Sequence, residues 1–210
     1  MSKREDITSS WLGSSRGYGL VYTKILGWID LGHARGEDAQ RLKEILFAEK
    51  GTKYFPELKE WYFPVDYYQE MSLSLNRKSH THLIAGVHAP LMVRSCLSWD
   101  MKRRIALTIM MKTAWRFEAL QDSSLINWRT DSGFSGEDLV SDLVGFYRVF
   151  GNGIDPIILA QPTDISYGLS IWDHYGPIGN FKNKGFKPLL FPQPSPGKKI
   201  YLAQAIFLHG

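Results

Sequence analysis

The chain has 210 residues, 44% hydrophobic and 13% aromatic, with 25 Lys and Arg against 21 Asp and Glu for a formal charge of +4. That balance excludes an intrinsically disordered chain, because a sequence of this size and apolar content buries roughly 70% of the surface its unfolded form exposes. The single cysteine, Cys96, excludes a disulfide-stapled scaffold and fits a reducing compartment, while the longest strongly apolar run, around Ile105 to Met111, is too short to span a bilayer.

Residues 1–16 are polar and Ser/Gly-rich and are expected to form a flexible N-terminal segment, with one α+β domain over 17–210. The opening Met-Ser-Lys-Arg-Glu-Asp has no apolar signal-peptide core, so synthesis in the cytoplasm is expected, and any export would need a machine that uses no cleavable signal. Gly17 to Asp30 mixes aromatic and β-branched residues with glycines, which suits extended structure. Gly36 to Lys50 predicts an amphipathic helix: Glu37 and Asp38 suit its N-terminal dipole, Leu42, Ile45 and Leu46 form its stripe, and Gly51 stops it. Tyr54 to Val93 alternates apolar and polar residues around turn signals at Asn76 to Ser79, predicting two or three strands.

Ser98 can cap a long helix from Trp99 to Gln121, expected to be central and buried on the small antiparallel sheet because Ile105 to Met111 is apolar on nearly every side. Ser135-Gly-Glu-Asp reads as a capping box opening a helix that carries Leu139, Leu143, Val144, Tyr147 and Phe150 and ends at Gly151. A further helix is expected from Asp164 to His174, closed by Gly176-Pro177, making the second half helix-rich. Ile200 to Leu208 reads as a final strand.

Chemistry-bearing residues concentrate in three stretches. Asp30, His33 and Arg35 lie between glycines before a helix start, where a carboxylate can orient an imidazole as general base, or both can simply pin the helix entry. Glu118 projects from the apolar stripe of Leu107, Met111 and Ala114, so burial would raise its pKa toward that of a general acid; pairing with Arg116 or Arg129 is the structural alternative. Around the third helix start, capping accounts for Ser135 and Asp138, whereas Glu137 could join Glu118 or Asp131 as a carboxylate pair. Arg35, Asp131 and Ser135 are the candidates for substrate contact.

Other groups are less complete. His80 and His82 would share one strand face, with His88 nearby, but no carboxylate or cysteine spacing completes a metal site, so neither metal nor cofactor is expected. Cys96 precedes a helix start and could act as a nucleophile with His33 as base, or be a small core residue. Asp173-His174 is one more acid and imidazole pair. Lys182, Lys184, Lys187, Lys198 and Lys199 form a basic concentration, as do Lys102, Arg103 and Arg104; a solvated face explains these, and nucleic acid or another anionic polymer is compatible with them. There is no P-loop, GxGxxG or GxSxG.

Ile29-Asp-Leu-Gly-His-Ala-Arg35 and Phe134-Ser-Gly-Glu-Asp-Leu-Val-Ser-Asp142 together resemble the signatures of a poorly characterised bacterial family. That family has an early Asp/His/Arg loop, a later Phe-Ser-x-Glu-Asp-Leu-x-Ser loop and a helical Glu between them, here Glu118 in Arg116-Phe-Glu-Ala-Leu-Gln121. The chain departs from the pattern at Asp142, where the family has Asn, and in the leader that members often carry. The resemblance implies an envelope-associated role: an antibacterial effector delivered by a type VI-like contact-dependent secretion system to a target-cell periplasm. Its substrate would be peptidoglycan, and its partners the secretion apparatus and a cognate inhibitor.

The expectation is therefore a cell-wall hydrolase in which His33 oriented by Asp30, and Glu118 supported by Glu137, supply base and acid. The alternatives are a papain-like cysteine peptidase or amidase using Cys96 and His33, and a non-enzymatic binding module in which these groups brace loops.

Overall fold

A computed structural model describes residues 2–8, 17–74, 82–122, 134–151 and 153–194. The fold is α+β, with helices and small antiparallel sheets. The chain groups into two compact units, one built from Met1–Gly36 with Gln121–Gly210 and the other from Glu37–Leu120.

In the first unit the aromatic, β-branched stretch forms a hairpin of β1 (Leu20–Thr23) and β2 (Gly27–Asp30), paired Leu20 to Asp30 and Tyr22 to Trp28. Alternation sends its side chains to two faces. Leu20, Tyr22 and Trp28 pack with Ile7, Ile171, Trp172, Ile178 and Phe191, while Val21, Ile29 and Leu31 pack with Ala34, Val140, Val144 and Ile157. A hairpin buried on both sides is the core of this unit. The Tyr22 hydroxyl donates to the Phe191 carbonyl and accepts from the Phe191 N–H, each at 2.8 Å, and its burial pushes the phenol up to about 12.

Two helices cover the hairpin. Helix α3 (Asp138–Phe150) supplies Val140 and Val144 to one face, and α5 (Ile165–Tyr175) supplies Ile171 and Trp172 to the other. Between them lies the short α4 (Pro156–Leu159), capped by Asp155. Helix α5 begins with the Asp164 carboxylate accepting the Tyr167 N–H at 2.7 Å, one residue later than the predicted start, because Asp164 is the cap itself.

The second unit holds helix α1 (Glu37–Ala48), strands β3 (Lys53–Phe55), β4 (Glu60–Ser74) and β5 (His82–Arg94), and helix α2 (Trp99–Gln121). The three strands form one antiparallel sheet in the order β3-β4-β5, with Tyr62 opposite Arg94 and Ser74 opposite His82. Phe63, Val65, Tyr67 and Gln69 are buried on alternate positions of β4, as the period of two requires.

Helix α2 has the predicted bounds, but it is not apolar-packed all round. Its buried positions, Ala106, Ile109, Met110, Thr113, Ala114, Phe117 and Glu118, make one stripe at helical spacing, while Trp99, Met101 and Trp115 are exposed. Among the described residues no helix is long and apolar enough to cross a membrane.

Part of the segment expected to be flexible is packed: Arg4–Asp6 form a turn of 3-10 helix and Ile7 enters the core beside Leu20. The strand expected at Ile200 to Leu208 and the turn at Asn76 to Ser79 lie outside the described residues.

Candidate functional site

The site is built where the end of β2 meets the start of α3. After Asp30 the chain turns through a 3-10 segment, His33–Arg35, and leaves it at Gly36 in the left-handed region, with φ of 75°. This turn lies directly on α3. A Cβ at Gly36 would overlap the Gly145 carbonyl oxygen, and one at Gly145 would come 2.8 Å from the His33 carbonyl oxygen. Two glycines thus permit backbone-to-backbone contact that no larger residue allows. Arg148 ties the turn down further, donating to the Ala34 carbonyl at 3.0 Å while its guanidinium clasps Asp155. Burial works to raise the Asp155 carboxyl, but the hydrogen bonds and charge of Arg148 hold it below its ordinary value.

That contact places His33 against Asp138 and Asp142, which share a face of α3 with Gly145 because they are spaced four and three residues apart. The His33 Nδ1 is 3.0 Å from Oδ1 of Asp142, and Nε2 is 4.0 Å from Oδ1 of Asp138. The imidazole is about one-third exposed, whereas both carboxylates are nearly covered. Burial pulls the His33 pKa down, yet Asp142 through charge and hydrogen bond, and Asp138 and Asp30 through charge, outweigh it and hold it well above 6.5. This environment favours the protonated imidazolium form of His33.

This arrangement corrects the expected dyad. Asp30 does not orient the ring; its Oδ1 accepts the backbone N–H groups of Gly32 at 2.6 Å and His33 at 3.3 Å, shaping the turn. Asp142 orients the ring. An imidazolium, moreover, has no lone pair with which to act as a base.

Beside this pair lies Glu137, only 2% exposed. Its carboxylate accepts the hydroxyls of Ser135, through a short hydrogen bond, and of Ser2 at 3.1 Å. Burial pushes the Glu137 pKa up and outweighs those hydrogen bonds, with the Asp30 charge acting in the same direction. The expected capping box is half formed. Ser135 N–H donates to the Asp138 carboxylate at 3.1 Å, but the Ser135 hydroxyl turns to Glu137, so α3 begins at Asp138. Ser141 completes the join: fully buried, it accepts the Asp30 N–H at 2.9 Å and donates to the Glu137 carbonyl at 2.7 Å.

Asp30 also lines a cleft of about 250 Å³ with Ser2, Asp6, Tyr18, Gly19 and Leu20. Arg35 is exposed at its edge, the guanidinium lying over the Tyr18 ring at 5.3 Å. The unit thus brings together Asp30, His33, Glu137 and Ser135 from the sequence-predicted set and adds Asp138, Ser141 and Asp142. The spacing of Asp138, Asp142 and Gly145 on one helix face was the available signal for the additions.

The other candidates fall elsewhere. Glu118 is buried, at 1% exposure, in the Glu37–Leu120 unit. Cys96, in that same unit, is exposed rather than a core residue, because its left-handed backbone turns it outward while its N–H donates to the Glu49 carboxylate at 3.2 Å. Asp131 and His80 lie outside the described residues, as does the side chain of His82. His88 pairs with Asp66 on the neighbouring strand. Among the described residues no group of three or more His, Cys, Asp or Glu is placed to hold a metal ion.

Asp173 does not pair with His174; it is clasped by Arg4 at 2.7 and 2.8 Å. Members of the basic concentrations form ion pairs: Lys102 with Glu49, Arg103 and Arg104 with Asp100, and Lys184 with Asp122, while Lys198 and Lys199 lie outside the described residues. No protein-family model, curated protein or solved structure matches the chain.

Proposed function

We propose that this cluster is the acid–base centre of a hydrolase, with cell-wall peptidoglycan as its substrate. One observation carries the chemistry: a carboxyl buried to 2% exposure, Glu137, with its pKa pushed up, sits in the same cluster as an imidazole held by carboxylates, next to a cleft lined by Asp30 and Ser2. Groups whose environments push their protonation toward neutral pH mark sites of proton transfer. In this reading Glu137 is the general acid that protonates the leaving group. Asp30, which lines the cleft, activates the attacking water with the carboxylate oxygen not used by the turn. His33, fixed by Asp142, supplies positive charge where negative charge develops.

The peptidoglycan target rests on the resemblance of the two loops, and export by a contact-dependent secretion system, with a cognate inhibitor, follows from the same resemblance. Expression in a bacterial host with and without an export signal tests it. Growth arrest and lysis only with the signal are expected, abolished by Glu137→Gln. Harmless export, or killing from the cytoplasm, would overturn the cell-wall target.

A second reading, a binding module without catalysis, is favoured by the engagement of every charged group in the cluster with another group of the protein: Asp30 in its turn, Asp142 with His33, Glu137 with two serines. It expects Glu137→Gln to retain all biological effect. The cysteine-peptidase alternative gains nothing here, since His33 is committed to the carboxylates of Asp142 and Asp138.

A further inference from the structure

The segment 2–8 lies along the cleft, and its attachments differ from those of the core. Ser2 reaches Glu137 with its hydroxyl, Asp6 forms part of the cleft wall, and Arg4 clasps Asp173 on α5 in an exposed bidentate pair. Ile7 and Thr8 fasten the far end, Ile7 by burial and the Thr8 N–H by donating to the Leu20 carbonyl at 2.9 Å. Gly19 makes the close approach possible. With φ of 126° it has no side chain to meet the Asp6 carbonyl oxygen, which a Cβ would approach to 2.7 Å, or the Thr8 methyl, at 2.9 Å.

We propose that residues 2–8 are an autoinhibitory strap, in which the Ser2 hydroxyl occupies the place of a substrate hydroxyl on Glu137, and that displacement of the strap opens the site. A cleft of about 250 Å³ admits a small group but not a polymer. One of its walls is the strap itself, so release of that wall widens the cleft into a groove. The outer half of the strap is fastened by polar contacts that exchange readily with water, chiefly the Arg4–Asp173 pair, whereas the inner half is anchored by Ile7. Opening therefore hinges near Ile7 and leaves the core intact. The proposal rests on the hydrolase reading for its biological meaning, but its structural content is independent of catalysis.

The test is carbodiimide-promoted amine coupling to the Glu137 carboxyl in the full chain, quantified by peptide mass spectrometry against exposed carboxylates. Arg4→Glu places like charges together at the pair, and Ser2→Ala removes the hydroxyl; each should speed coupling at Glu137 several-fold. Arg4→Glu combined with Asp173→Arg should restore the slow rate. Arg4 is exposed, so these changes leave the buried core untouched. Unchanged Glu137 coupling in both single variants, or a rise that the charge swap does not reverse, would overturn the strap. Faster coupling without any hydrolysis of cell wall would leave the strap standing and remove the hydrolase reading instead.

Discussion

The Nδ1 of His33 and the Oδ1 of Asp142 lie 3.0 Å apart, although 109 residues separate them in the chain. This pair, and not the neighbouring Asp30, sets the charge and the orientation of the imidazole. It exists because a turn ending in Gly36 meets a helix at Gly145.

Asp142→Asn removes the main group that holds the His33 proton, so burial then dominates and the His33 pKa falls, as NMR titration of the ring will measure. The stability consequence has a definite sign. A histidine whose folded pKa lies above 6.5 stabilises the fold fully below that value, and the stabilisation is lost as pH rises through the folded pKa. Urea unfolding of the wild type, followed upward from about pH 6, should show that loss, and Asp142→Asn should flatten it. At the low-pH end the variant should be less stable by about 1–2 kcal/mol, the worth of a partly exposed charge-assisted hydrogen bond.

Gly36→Ala adds a methyl group where a positive φ and the Gly145 carbonyl both oppose it. Strain and overlap together should cost about 2–4 kcal/mol, read as a lower midpoint of thermal unfolding. Gly153, at φ of 91° but with nothing within 4 Å of its Cβ position, is the control. Its alanine variant should lose only about 1–2 kcal/mol from the backbone term.

Much of this architecture is legible in the residues. Leu42 and Leu46 at helical spacing, Phe63, Val65 and Tyr67 at strand spacing, and Asp164 as a cap each act through neighbours in sequence, so pattern alone finds them. The His33 cluster is different. Ser135 satisfies local capping rules, yet its hydroxyl donates to Glu137, because a carboxyl buried at a helix start that is itself covered must find its donors within the protein. Asp142 was visible only through its helical spacing from Asp138 and Gly145, which does not say what faces it. Its role depends on Gly36 and Gly145, whose contact is tertiary and leaves no periodic trace. The docking of Ile7 escaped for the same reason: one apolar residue in a polar stretch has no period.

Cys96 is exposed and lies outside the cluster's unit, so iodoacetamide should alkylate it completely in the folded protein. Hydrolytic activity after stoichiometric alkylation should equal that of the untreated protein; its disappearance would reinstate the cysteine nucleophile.

In the proposed hydrolase, Glu137 is the group that donates the proton to the leaving group. Gln keeps the shape of Glu137; its amide oxygen can accept from one serine hydroxyl while its NH2 donates to the other, and it removes the cost of ionising a buried carboxyl, so Glu137→Gln should fold at least as stably as the wild type at neutral pH. The deciding measurement is the release of soluble fragments from purified peptidoglycan sacculi by the two proteins side by side. Release by the wild type, lowered at least about a hundredfold in Glu137→Gln, is the predicted result; equal release by both, or none by either with the strap displaced, would contradict it.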